Sequence, residues 1–316
     1  MAVAYGANAK CYLKRQTDDE TPATGNFTQI QFMSNDFGSN QNLGEDDVLG
    51  AGIGRDGGDP FLETLTADGT LVVPLLLDSF GLILAGLFGA PTTTGTTDKT
   101  HEFRSGATAL PAWSLEKAMP DVPKFDLGFG VKFNTLAVDV SPTGGATASV
   151  GLIGLGETTA TTSAAGTPTI LAGQRFQKPS GSIKKDGVQL ARVTGGSINF
   201  SNGMAGVQTV RPDNRQENVD LGKTSASGDL RMRLADNSLY AQAIAGTPAA
   251  MAYGFQISAT KSVEFQFPRT FFSRPKIGIS GSQGIELPVQ WRASFDTTAG
   301  YMCRVLLKNQ VMSYAA

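Results

Sequence analysis

Apolar and polar positions alternate in the same way in two separate stretches of the chain. From Gly228 to Leu234, Leu230, Met232 and Leu234 fall on one side, and Asp229, Arg231 and Arg233 on the other. That period of two predicts a half-buried strand. From Gly69 to Leu77 the same core positions recur with uncharged outward residues, Thr70, Val72 and Pro74. Each stretch runs into a short apolar segment closed by Gly and Pro: FGLILAGLFGAP ends at Pro91 and LYAQAIAGTP at Pro248. These predict helices from Ser79 to Phe88 and from Ser238 to Ala245, with Asp78 or Ser79 as N-cap and Gly89 just past the end of the first.

The two stretches match in order as well as pattern. ADGTLVVPLLLDS aligns with ASGDLRMRLADNS, so Ala67 meets Ala226, Gly69 meets Gly228, Leu71 meets Leu230, Leu75 meets Leu234 and Ser79 meets Ser238. Upstream, FMSND is echoed by NFSNG. Similarity repeating at half the chain length indicates a duplicated domain rather than a short-repeat solenoid. The expected division is a first β domain over 1–156, a linker over 157–173 (ETTATTSAAGTPTILAG), and a second β domain over 174–316. Strand candidates in the first are Ala9 to Lys14, Phe27 to Met33, Thr100 to Arg104, Ala112 to Lys117, Gly130 to Val140 and Ala146 to Leu155. In the second they are Arg175 to Ile183, Val188 to Val193, Ser197 to Ser201, Tyr253 to Ala259, Ser262 to Phe267, Ile285 to Phe295 and Tyr301 to Lys308. Residues 34–66 read as a long irregular connection rich in Gly and Asp. A connection of that length in a compact domain is usually functional or a protruding arm.

Composition narrows the function. The 316 residues accommodate two domains. Twenty-six basic against 28 acidic groups leave no basic excess for gripping nucleic-acid phosphates. Cys11 and Cys303 lie at opposite ends of the chain and read as reduced thiols. The stretch from Leu71 to Ala90 is nearly apolar over a membrane-spanning length. Its counterpart carries Arg231, Arg233 and Asp236, each costing roughly 2.5–3.5 kcal/mol at bilayer depth, so neither copy is expected to insert in a membrane. The N-terminus has no apolar run of signal-peptide length before its charges.

Candidate chemistry is sparse. His101, beside Glu102, is the one histidine, and strand neighbours point to opposite faces, so a surface or strand-edge histidine is the simpler reading. GAGIGRDGG, Gly50 to Gly58, lacks the GK[ST] ending of a phosphate loop. Glu45, Asp46 and Asp47 lack the alternating spacing of a calcium loop. No nucleophile–base pair is visible, and neither a catalytic, a metal nor a cofactor site is expected.

One ordered set of segments resembles a known family. LGEDDVLGAGIGRDGGDP, then ADGTLVVPLLLDSFGLILAGLFGAP, then HEFRSG followed by WSLEKAMPD, is similar to the phage tail tube proteins of long, non-contractile-tailed siphophages. The resemblance spans roughly residues 27–140 and reaches the second copy only through the repeat. It implies an all-β fold with short helices, here two tandem tail-tube-type β-sandwich domains, each with one short flanking helix. It implies a structural virion protein of the tail, assembled in the host cytoplasm, which joins sheets with its neighbours into stacked rings. Phage DNA passes through the lumen without specific binding. Tape measure, tail terminator and distal tail proteins are the implied partners. Six domain copies per ring, at two per chain, give a homotrimeric ring with approximate sixfold symmetry; a hexamer whose second domain decorates the outside is the competing arrangement. The arm at 34–66 is then the ring-stacking element, with Glu45, Asp46, Asp47, Arg55, Asp56 and Asp59 at the inter-ring contact. The alternative class is another β-sandwich virion or surface protein, such as a fibre or adhesion module.

Overall fold

The computed structural model describes residues 3–48, 56–171, 173–235, 237–279, 282 and 284–314. It is mostly strand, with two short α-helices. The main elements of the first half are β1 (Lys10–Arg15), β2 (Gly38–Gly44), β3 (Phe61–Pro74), α1 (Phe80–Phe88), β4 (Lys99–Arg104), β5 (Trp113–Met119), β6 (Lys124–Val140), β7 (Thr147–Gly154) and β8 (Gly156–Ala160). Those of the second half are β9 (Gly181–Lys185), β10 (Val193–Ser201), β11 (Ser225–Arg233), α2 (Ser238–Ala245), β12 (Ala249–Ser258), β13 (Lys261–Phe272), β14 (Glu286–Ala293) and β15 (Arg304–Asn309).

β6 organises the first half because it belongs to two sheets. Its first part pairs with β5 and β8, and its second part with β7. The corner falls at Gly130, whose φ of +60° suits glycine. A Cβ there would lie 2.8 Å from Asp19 O, so the close approach excludes a side chain too. Beyond the corner the period of two holds: Leu136, Val138 and Val140 are buried, while Thr135, Ala137 and Asp139 face out.

The strand pairings of the first half recur in the second, in the same register. β7 sets Leu152 opposite Gly69 of β3, and β14 sets Trp291 opposite Gly228 of β11. β6 pairs Phe133 with Leu152, and β13 pairs Phe272 with Trp291. The bulge repeats: Trp113↔Val131 is followed by Leu115↔Gly128, and Ala249↔Thr270 by Met251↔Phe267. On β3, Ser34 pairs with Val72 and Gly38 with Asp68; on β11, Gly195 pairs with Arg231 and Asn199 with Ser227. β10 thus stands where Ser34–Asn35 and β2 stand in the first half.

Two ladders join the halves. β6 pairs with β10 from Thr135↔Ser201 to Val140↔Gly196, and β4 pairs with β15 from Lys99↔Asn309 to Arg104↔Arg304. The core is shared as well. α1, with all nine residues buried, sets Phe80 6.4 Å from Phe265 and Phe88 4.6 Å from Phe200.

Several expectations change. α2 has the bounds read from the sequence; α1 starts at Phe80 with Ser79 as N-cap, whose side chain makes no cap bond. Residues 34–66 are not an irregular connection but mostly a hairpin of β2 and β3, Gly44↔Phe61 closing the described ladder. The Gly/Asp spacing hid it, because Gly and polar residues hold strand register through a partner rather than by propensity. The 157–173 segment, expected as a flexible linker, is tied down. β8 pairs with β6, Thr169–Ile170 pairs with Thr28–Gln29, and Ala164 N donates to Glu116 at 2.6 Å. His101 is not at the surface: it is fully buried, because β15 arrives from the far end of the chain to cover β4. Its ring bonds Thr93 Oγ1 at 2.8 Å and Asn309 Oδ1 at 3.1 Å. Asn309 Nδ2 donates to Leu77 O and to Tyr314 Oη, whose hydroxyl donates to Asp78 O. This network pins the C-terminal segment to the start of α1. Cys11 and Cys303 are buried free thiols, and burial pushes the Cys11 thiol up to about 12.

Candidate functional site

The widest feature that the fold presents is one face of the sheet β2–β3–β7–β6–β10–β11–β14. Alternation puts small polar residues on it: Thr70, Ser149, Thr135, Ser197, Asn199 and Ser227. Their neighbours Leu71, Val150, Leu136, Ile198 and Leu230 face the core. Two close charge pairs lie on this face, and exposed Arg233 and Arg292 share it with exposed Asp68 and Glu286. Lys178 meets Asp139 at 2.6 Å, and Arg231 meets Asp229 at 3.3 Å. Ser197 Oγ also donates to Asp229. The face therefore offers hydroxyls, amides and charges of both signs rather than a field of one sign, which suits a smooth polar surface better than a grip on phosphate.

The sheet has two ends that differ in kind. At one, β2 pairs only with β3, and the outward donors of β2 and of the residue just before it are held by side chains. Phe37 N donates to Asn35 Oδ1 at 3.1 Å, and Ser39 N to Glu157 Oε2 at 3.1 Å. Glu157 also faces Lys117 at 3.3 Å. At the other, the chain leaves β13 at Phe272 and runs through 273–279 without strand structure. Ile279 there is 76% exposed. Unpaired sheet ends of this sort are sites where another chain can add a strand.

The hairpin of β2 and β3 carries the predicted inter-ring residues. Glu45, Asp46, Asp47, Asp56 and Asp59 are all exposed in its loop; Arg55 lies outside the described residues, as does most of the glycine string. The structure adds apolar residues that the sequence reading passed over: Leu43, Val48, Phe61 and Leu62 are exposed on the same hairpin, and Leu43 sits opposite Leu62. The signal was present in the sequence, since Phe61 and Leu62 are adjacent and a strand must send them to opposite faces. Clustered exposed apolar groups mark contact surfaces.

Among the described residues, no group of three or more His, Cys, Asp or Glu could hold a metal ion. Neither is a described helix long and apolar enough to cross a membrane. His101 is lowered below the usual histidine range, mainly by burial, and works as a structural crosspiece.

No curated protein matches the chain. The family of phage tail tube proteins matches over residues 6–293, and that extent covers β1 through β14, both halves of the repeated pairing pattern and the polar sheet face between them. This mostly β chain, with its unpaired sheet ends and its exposed hairpin of β2 and β3, belongs to the phage tail tube protein family.

Proposed function

We propose that this chain builds the tube of a long, non-contractile phage tail as stacked rings of three chains, each chain supplying two tandem tail-tube-type domains (1–156 and 174–316, joined by 157–173). The repeated pairing register carries this reading. A half that repeats strand for strand, and is joined to its twin by a main-chain ladder, behaves as two adjacent units of one ring. Closed rings made by head-to-tail contacts present one surface to the next unit at every step, and β6 to β10 supplies one such step inside the chain. The polar face of the long sheet lines the lumen, and DNA passes over hydroxyls and charges of both signs during ejection into the host. Such a role needs no catalytic centre. The hairpin of β2 and β3 reaches the neighbouring ring, its apolar residues giving area and Glu45, Asp46, Asp47, Arg55, Asp56 and Asp59 giving orientation. Assembly takes place in the host cytoplasm with tape measure, terminator and distal tail proteins. The test is electron microscopy of purified protein with a reconstruction imposing no symmetry. Hollow tubes of three chains per ring support the reading; persistent monomers, or six chains per ring with the second domain outside, overturn it.

A further inference from the structure

The ladder inside the chain joins two halves that share one pairing register. β6 enters it through Thr135 to Val140, and β10 through Gly196 to Ser201. The shared register fixes what stands at each place in the other half. Phe133 matches Phe272 because each faces the equivalent residue, Leu152 or Trp291. Counting on from that pair, Thr135–Val140 corresponds to Arg274–Ile279. Ser34 matches Gly195 and Gly38 matches Asn199, because each faces the equivalent place on β3 or β11. Gly196–Ser201 therefore corresponds to Asn35–Asn40. Residues 274–279 have no strand partner in the single chain, and the outward edge of 35–40 has none either.

We propose that residues 274–279 become a strand on assembly and pair antiparallel with residues 35–40 of a second copy of this chain. The register sets Ile279 opposite Asn35, Ile277 opposite Phe37, Lys276 opposite Gly38 and Arg274 opposite Asn40. This rests on the ring reading above and deepens it by naming the joining segments. The side chains agree with the assignment. Ile277 and Ile279 occupy the places of Val138 and Val140, which are buried in the internal ladder. Ile277 already packs partly on the core, while Ile279 stays exposed until its neighbour arrives. Charge is complementary, with exposed Arg274 and Lys276 on one segment and exposed Asp36 and Asp68 beside the other. The outward donors of Phe37 and Ser39, held in the single chain by Asn35 and Glu157, exchange those acceptors for main-chain carbonyls. Pro275 stands in the place of Leu136 and leaves one rung without an N–H. A proline and two cations on an unpaired segment also discourage indiscriminate pairing before the right edge appears.

The test is a disulfide across the new ladder. Gly38 has room for a side chain, its Cβ meeting nothing nearer than Lys117 Nζ at 3.4 Å, and Lys276 is exposed. Directly opposed residues of an antiparallel pair lie at disulfide distance, while Cys11 and Cys303 are buried. Tubes of G38C/K276C, mildly oxidised, should give reductant-sensitive chain-to-chain links ending in a covalent three-chain species. The slipped pair G38C/I277C should give none, because one residue of slip turns the side chain to the other face. Tubes that form without the link, or that link equally in the slipped pair, overturn the register and leave the tube reading standing. A wild-type chain that never forms rings overturns both. Hydrogen exchange on the unmodified protein gives an independent readout: the amides of Ile277 and Ile279 should slow at least tenfold on assembly, and unchanged rates in tubes overturn the pairing.

Discussion

Gly69 and Gly228 occupy the same place in the two halves, and each lets a neighbouring strand lie against it. A Cβ on Gly69 would collide with the backbone of Asp36 and Phe37, and one on Gly228 with Ser197 O and the Trp291 ring. Gly69→Ala and Gly228→Ala should each cost about 1–3 kcal/mol through overpacking, read from urea midpoints, whereas Gly6→Ala, which meets nothing within 4 Å, should change little. His101 gives a pH signature. Its folded pKa lies below the unfolded value, mainly through burial. Between the two values only the unfolded chain binds the proton, so stability falls as pH drops through the ordinary histidine range and levels off below the folded pKa. The urea midpoint of wild type should therefore decrease from pH 7.5 to pH 5.5 by more than that of His101→Gln. Equal slopes would show that the histidine does not carry the effect.

At the scale of elements, the two helices are equivalent in sequence order and opposite in surroundings. α1 is buried on every side, between β6 and the strands of the second half, while α2 buries Leu239 and Ala243 and leaves Ile244 exposed. Leu84→Ala should cost about 2–5 kcal/mol as a cavity in a closed core. Ile244→Ala should stay within about 0.5 kcal/mol in the unassembled chain. A scan finding equal costs would contradict the asymmetry. The hairpin of β2 and β3 makes a second element-level prediction. Replacing Leu43, Phe61 and Leu62 together by Ser should leave the circular dichroism spectrum and melting behaviour near wild type but abolish tubes. Tubes of normal length from that variant would remove the hairpin from the stacking contact.

At the scale of the molecule, the proposed lumen role of the polar face makes a prediction about DNA. Arg231 is held by Asp229 and Lys178 by Asp139, and exposed Arg233 and Arg292 share the face with exposed Asp68 and Glu286, so it carries both signs rather than a cationic field. Binding of duplex DNA by assembled tubes should be weak, with a shallow dependence of log affinity on log salt. A steep slope would mean several phosphates are neutralised at once and would count against a smooth conduit. Charge reversal at the pairs is the complementary experiment: Asp139→Lys with Asp229→Lys should introduce salt-sensitive DNA retention without changing tube length.

The sequence by itself determined the all-β class, the two short helices and the recurrence of Gly69 and Leu71 as Gly228 and Leu230, because these rest on local periodicity and on chain terminators. Its reading of 34–66 as an arm stays a proposal, and it took strand residues there as irregular and weighed only the charges. What the tertiary structure decided is where distant segments meet. Burial of His101 depends on β15, which arrives from residues 304–309. The ordering of 157–173 depends on Glu116 and on β6. The joining of the halves depends on β6 finding β10. A period of two states that a strand has a wet side and a dry side, but not which strand lies beside it. Main-chain hydrogen bonding is the same for every residue pair, so partner and register are set by how the two dry faces pack together, and only the folded chain holds that information.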